Sequence, residues 1–357
     1  MHRLRHVVIP IVGLALFAAT LGAEPSTWLG IVLGVVLALC VLEAVHHAEV
    51  VAARVGEPFG SLILAVAVTV IEVGLIIALM LNDPDTTGGV ARDTVFSATM
   101  IACNGIVGGA LVLGTWRERL VTFNPEGVGA AVAAIAALAV LSLVLPTFTE
   151  TTPGPYFSTT QLVFAAVAAL AIYLAYVLVQ TVRHRDFFLP PDALDTGDES
   201  HAESPSAREA WTSLALLAVS LVAVVGLAKA TSPLVQNAAD AAGLPQSAVA
   251  VSIALLVLLP ESVAALRAAR RRRIQTSLNL AYGSVMASIG LTIPVIAAIS
   301  LAFGFDLALG LSTAEIALLA LTVVVAALTV VPGRATLLQG VVHLAIFAAF
   351  LVFAVNP

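Results

Sequence analysis

Charge is scarce in this sequence: Asp, Glu, Lys and Arg make up 11% of 357 residues, 22 acidic against 16 basic, with seven histidines. So few polar groups cannot clothe a soluble core of this length, which excludes the water-soluble globular classes. Aromatics are only 6%, and short alternating strands are missing, which excludes a transmembrane β-barrel. The two cysteines, Cys40 and Cys103, both fall inside apolar runs, giving neither a disulfide framework nor a metal cluster. No HExxH occurs, and nothing points to a nucleic acid or a cofactor. What remains is apolar: 60% of residues and a mean hydropathy of +1.05, in long Ala, Val, Leu and Ile runs punctuated by Gly. Such runs predict packed membrane helices, an all-α integral membrane protein.

A bilayer core takes about 20 apolar residues per helix. Marking such runs between charged or Pro/Gly-rich breaks predicts about eleven spans, roughly 7 to 23, 28 to 45, 60 to 81, 94 to 115, 127 to 146, 160 to 182, 211 to 232, 246 to 266, 278 to 301, 313 to 331 and 335 to 355. Numbering the loops alternately puts Arg3, Arg5, Arg54, Arg117, Arg119, Arg183, Arg185, Arg208, Arg267, Arg270, Arg271, Arg272, Arg273 and Arg334 on one side. Only Arg92 and Lys229 fall on the other. Positive charge collects on the cytoplasmic side, so the N-terminus is expected in the cytoplasm and the C-terminus outside a bacterial inner membrane. The short first span behind Arg3 and Arg5 also reads as a signal peptide, although no small-residue cleavage site precedes the next span.

Between Arg183 and Arg208 stand Pro190, Pro191, Asp192, Asp195, Asp198, Glu199 and Glu203, too polar and too broken for a core. The expected organisation is therefore a leading helix and loop (1–27), a first five-helix repeat (28–182), an acidic cytoplasmic linker (183–210) and a second five-helix repeat (211–357). An odd number of helices per repeat turns the second upside down relative to the first, as in many secondary transporters.

The second helix of each repeat carries a glutamate: Glu72 in GSLILAVAVTVIEVGLIIALM and Glu261 in AVAVSIALLVLLPESVAALRAARRRR, directly after Pro260. The helix that follows is rich in small and polar residues, SATMIACNGIVGG with Ser97, Thr99 and Asn104, and NLAYGSVMASIGLTIP with Asn279, Ser284, Ser288 and Thr292. Small residues permit close helix approach, and Pro or Gly frees backbone carbonyls to face a cavity.

An ionised carboxylate at the bilayer centre costs at least about 2.5 kcal/mol. Protonation, a basic partner or a bound cation can offset that cost, and the midplane segments contain no Lys or Arg. Glu72 and Glu261 are therefore expected to hold either protons or a cation, which is the chemistry of exchange. Two carboxylates match one divalent ion or two protons. Calcium takes six to eight oxygens, so Thr69, Ser97, Asn104, Ser284, Ser288 and freed carbonyls are candidate supporting ligands. A pair of permanently protonated glutamates bonding between helices is the structural alternative.

His47 and His343 are candidate proton-relay or pH-sensing residues, and His343 equally suits a plain hydrogen-bonding role within the bundle. Glu315 reads as a helix cap, and Arg270 to Arg273 as an anchor on anionic lipid. Glu43, His46, His47 and Glu49 are metal-ligand types, so an intramembrane metal-dependent hydrolase is a remote alternative. Against it, adjacent His46 and His47 point about 100 degrees apart on a helix. The expectation is a non-enzyme.

At HAEVVAARVGEPFGSLILAVAVTVIEVGLIIALM, and again at LLPESVAALRAARRRRIQTSLNLAYGSVMASIGLTIPV, the sequence resembles the bacterial ChaA-type calcium/sodium/potassium-proton antiporters of the cation/calcium antiporter superfamily. The resemblance extends through NGIVGGALVLG, the acidic linker and HLAIFAAFLVF. It implies ten core helices plus one, and transport of calcium, sodium or potassium against protons by alternating access, with the repeat glutamates falling on Glu72 and Glu261. The neighbouring motif positions fall on Thr69, Asn104, Ser284 and Ser288. Members of the wider superfamily commonly carry an asparagine three positions before each glutamate; here Thr69 and Leu258 stand there. That departure removes two amide oxygens from a calcium shell and keeps a monovalent sodium or potassium site open, while oligomeric state is left unaddressed.

Overall fold

Backbone groups in lipid have no water to pair with, so apolar runs of this length satisfy their N–H and C=O groups within helices. The computed structural model describes residues 2–21, 26–56, 59–80, 89–190 and 205–356. Pro191, Asp192, Asp195, Asp198, Glu199 and Glu203 of the expected linker lie outside the described residues. In chain order the helices are α1 (His2–Thr20), α2 (Thr27–Val55), α3 (Phe59–Met80), α4 (Val90–Met100), α5 (Val107–Glu118), α6 (Pro125–Ala139), α7 (Leu145–Phe148), α8 (Thr159–Leu178) and α9 (Ala207–Ala241). They continue with α10 (Gln246–Val257), α11 (Leu259–Arg270), α12 (Ile274–Ala287), α13 (Ile293–Phe303), α14 (Thr313–Val330) and α15 (Leu337–Val355).

Among the described residues, nine helical runs are long and apolar enough to cross a membrane, and α10 with α11 make a tenth if that interrupted pair is one span. α1 adds a further apolar helix at the N-terminus, its apolar stretch running over Arg5–Thr20. The expected all-α membrane architecture is therefore present, with nine or ten full spans and a leading apolar helix among the described residues. Trp28, Trp116 and Trp211 are all strongly exposed near helix ends, as suits side chains at headgroup level.

The chain packs as two units that each draw on both sequence halves: Met1–Val90 with His201–Val257, and Ala91–Ser200 with Leu258–Pro357. In the first unit, α9 lies against α1, α2 and α3, and α10 packs on α2, α3 and α9. A capping box between Ser206 and Glu209 starts α9, which satisfies first-turn N–H groups. Gly226 of α9 meets the ring of Phe17 so closely that a Cβ there would sit 2.4 Å from it. Gly13 of α1 brings its backbone equally near the thiol of Cys40 on α2. Small residues thus set α1 tightly into the groove beside α2 and α9.

In the second unit, α4 runs into α5 through a π turn at Ile101–Ile106, α6 into α7 through Val140–Val144, and α12 into α13 through Ser288–Thr292. The latter two widen just ahead of Pro146 and Pro294, where proline removes the N–H that would close an ordinary turn. Two short strands, β1 (Leu120–Thr122) and β2 (Arg334–Thr336), pair antiparallel with Val121 opposite Ala335. This ribbon is too short to show as alternation in the sequence.

Candidate functional site

Glu72 stands near the middle of α3 in the first unit and is 2% exposed. Thr69, one turn earlier on the same face, is also buried, and its hydroxyl has no hydrogen-bond partner among the described residues. Beyond Glu72, at i+3 and i+7, Leu75 and Leu79 line a cavity of about 500 Å³ formed by α2, α3, α9 and α10. Its wall is apolar apart from the hydroxyls of Thr27, Thr231, Ser232 and Ser252.

Glu261 belongs to the second unit and has a different setting. The expected continuous span from 246 to 266 is interrupted: α10 ends at Val257, Leu258 leaves the helical region with φ −82 and ψ 1, and α11 restarts with Pro260 and Glu261 in its first turn. Proline fits an opening turn and cannot continue the preceding helix. The Glu261 carboxylate consequently stands at the positive end of a helix, where unpaired N–H groups favour negative charge. Pro260 was the sequence signal for this break.

The other candidate ligands gather in the second unit on α4, α12 and the π turns. Ser97 donates to the Asp93 carbonyl at 2.5 Å. Ser284 is half-buried, and buried Ser288 opens the π turn Ser288–Thr292. Asn104 lies within the first π turn, where such turns often mark functional positions. Its amide is engaged on the side of α14 and α15: Nδ2 donates to Thr322 Oγ1 at 2.9 Å, and Oδ1 lies 3.1 Å from His343 Nδ1.

These bonds dictate the tautomer of His343. Thr322 donates its proton to the Leu318 carbonyl at 2.8 Å and must accept from Asn104. The amide oxygen therefore faces His343, whose Nδ1 donates, and Nε2 at 3.2 Å accepts from Thr329. Every polar atom in this fully buried chain is satisfied with a neutral imidazole. Thr322 and Thr329 escaped sequence reasoning because threonines in apolar helices are common.

At the α1–α2 contact, Glu43 bonds His6 Nδ1 at 2.6 Å and His47 Nε2 bonds the His6 carbonyl at 2.9 Å, while exposed Glu49 points elsewhere. Among the described residues no group of three or more His, Cys, Asp or Glu side chains is arranged to hold a metal ion. The Glu43/His46/His47/Glu49 metal cluster is thereby corrected: Glu43 and His47 Nε2 turn to α1, and Glu49 stands exposed. His6 as the partner of Glu43 carried no sequence signal. Asp93 is a further buried acid, which carried no sequence signal; it pairs with Arg92 at 2.6 Å while Arg92 Nη1 donates to the Gly310 carbonyl at 3.1 Å. Glu315 caps α14 in a box with Ser312, and both cysteines are buried free thiols. Arg272 of the basic run pairs with Glu118 at 2.8 Å.

Long apolar helices carrying a buried carboxylate, broken spans and π turns define an integral membrane transporter. The chain belongs to the sodium/calcium exchanger protein family, whose profile matches residues 25–182 and 212–356. Its relatives include y4hA of Sinorhizobium fredii (strain NBRC 101917 / NGR234), described provisionally as an ionic transporter, 45% identical over 98% of this chain and 95% of that one. The sodium-potassium/proton antiporter ChaA of Escherichia coli (strain K12) is 35% identical over 86% of this chain and 83% of its own. The fold matches the structure of native YfkE, with TM-score 0.73 at 15% identity, covering 99% of this chain and 100% of that one. It also matches the H+/Ca2+ exchanger CAX, with TM-score 0.69 at 16% identity, covering 98% and 88%.

Proposed function

We propose that this protein is a secondary active cation/proton antiporter of the bacterial inner membrane, exporting calcium, and sodium or potassium, in exchange for protons by alternating access. Glu72 and Glu261 bind cation and protons in turn. The observation that carries the reading is Glu72, a carboxylate buried mid-helix in an apolar span of a chain whose relative is a sodium-potassium/proton antiporter. A carboxylate so placed holds its charge only against a cation and otherwise holds a proton. Thr69, beside Glu72 on α3, and Ser97, Ser284 and Ser288 of the second unit are the oxygens proposed to support a cation, and Asn104 would do so with the lone pair that His343 leaves free. The repeats at 28–182 and 211–357 are inverted, with the N-terminus cytoplasmic and the C-terminus outside, in keeping with the one-sided distribution of arginine.

A mainly monovalent exchanger is the second reading, favoured by Thr69 and Leu258 where two amide oxygens would complete a calcium shell. Inverted vesicles with an imposed pH gradient separate the readings. Calcium, sodium and potassium are added in turn, with Glu72→Gln and Glu261→Gln as controls. Dissipation by one or more cations, lost in both variants, identifies exchange and names the ion. No response to any of the three overturns antiport.

A further inference from the structure

Three imidazoles and one carboxylate meet where α1 crosses α2, and exchange as described above does not use them. The His6 side chain is 18% exposed and that of Glu43 8%, and their 2.6 Å bond joins the two helices. The ring of His46 stacks on that of His6 at 4.0 Å, and His47 stands edge-on to His6 at 6.5 Å and 5.5 Å from His46. Arg5 donates to His6 Nε2 at 3.4 Å, so His6 carries its proton on Nδ1, towards Glu43. His47 donates from Nε2 to the His6 carbonyl, and its buried Nδ1 has no partner among the described residues.

The charges acting on His46 are His6, His47, Glu43 and Arg5, and those acting on His47 are Glu43 and His6. Of the other helices on α2, α3 brings Glu72, α9 brings Arg208, Glu209, Lys229 and Asp240, and α10 has no charged residue; none of these is among the acting charges.

We propose that His6, Glu43, His46 and His47 form a proton-operated latch that holds α1 against α2, and that its release at low cytoplasmic pH slows exchange. Protons added to His46 and His47 are not accommodated, because the one carboxylate, Glu43, already bonds His6, Arg5 stands on the far side of that ring, and the imidazoles lie only 4.0 to 6.5 Å apart in a partly buried site. Nor does a protonated His47 Nδ1 have an acceptor to meet. Loss of the latch frees α1, whose close seating at Gly13 and Phe17 supports α2 and α9, the helices against which the Glu72 helix packs. An importer of protons that loosens as protons accumulate limits itself. The effect on transport rests on the antiport reading and on a cytoplasmic α1 terminus; the latch itself does not.

Cys40 is a built-in reporter, fully buried, with its thiol directed at the Ile9 carbonyl of α1 at 3.8 Å. In a Cys103→Ala background it is the sole thiol. Its alkylation by a membrane-permeant maleimide is measured in inverted vesicles between about pH 8 and about pH 6, beside a His46→Gln/His47→Gln variant at each pH. The variant cancels the pH dependence of the thiol itself. The expected result is a labelling ratio, wild type over variant, that rises about tenfold on acidification, with exchange falling more steeply in wild type. His6→Gln provides an independent check, since loss of the Glu43 bond should raise labelling already at the alkaline end. A flat ratio together with unchanged labelling in His6→Gln overturns the latch. A rising ratio with identical exchange profiles overturns its control of transport. Exchange absent from wild type at every pH overturns the antiport reading and that control with it, while the labelling ratio still decides the latch.

Discussion

Replacing His343 by leucine should destabilise the protein by about 2 kcal/mol, and a double-mutant cycle with Asn104 should show why. His343 and Asn104 are both fully buried, and the order of donors from Thr329 to Leu318 is forced. Without the imidazole, Thr329 can turn its hydroxyl to a carbonyl of its own helix, as Thr322 already does. Asn104 Oδ1 has no such escape, and a buried acceptor left unpaired costs about 1 to 3 kcal/mol. Asn104→Leu removes the side-chain partner of His343 Nδ1 but leaves the ring its backbone bond at Cys103, so its cost should be the smaller of the two. The double variant leaves neither group stranded, so its loss should fall short of the sum by about 1 to 2 kcal/mol, towards the upper end of measured interhelical couplings in membranes. Equilibrium unfolding in mixed micelles at graded SDS supplies the four free energies. Additivity within about 0.3 kcal/mol would refute the connected network and make His343 an ordinary packing residue.

Glu72→Gln and Glu261→Gln should reach the membrane at wild-type levels yet lose exchange entirely, since an amide can neither take up nor release the proton; retained exchange in either would remove that residue from the site. Competition between protons and cation on a carboxylate requires apparent cation affinity to rise with pH, about tenfold per unit for each proton displaced, and cation titrations at several pH values read that number directly. Gly34→Ala should be neutral or stabilising by about 0.5 to 1 kcal/mol from helix propensity, because a Cβ there meets nothing within 4 Å. Gly226→Ala should instead lose about 1 to 3 kcal/mol by driving α9 against Phe17, and the two are compared by the same SDS unfolding.

The candidate carboxylates are legible in the sequence because lipid makes a charged group in an apolar run conspicuous. Glu72 declared itself by the apolar run around it, and Glu261 by Pro260 within another. Hydropathy reports whether a segment is buried, however, and not which segment buries it. His6 and Glu43 are 37 positions apart, and neither their bond nor the assembly of each unit from two separated stretches has any local signature. The π turns were half-visible, in Pro146 and Pro294, but the turn holding Asn104 precedes no proline and is stabilised by α14 and α15.

The interleaving of the units bears on how the chain is made. Residues 1 to 90 share a unit with residues up to Val257, so the helix bearing Glu72 leaves the ribosome long before α9 exists to cover it. At about 5 to 20 residues per second, the intervening synthesis keeps that carboxylate in an incomplete bundle for roughly ten to thirty seconds. An acid held so long without its final neighbours can wait in lipid as the neutral carboxyl. The proton such a carboxyl carries is thus taken up as a condition of insertion.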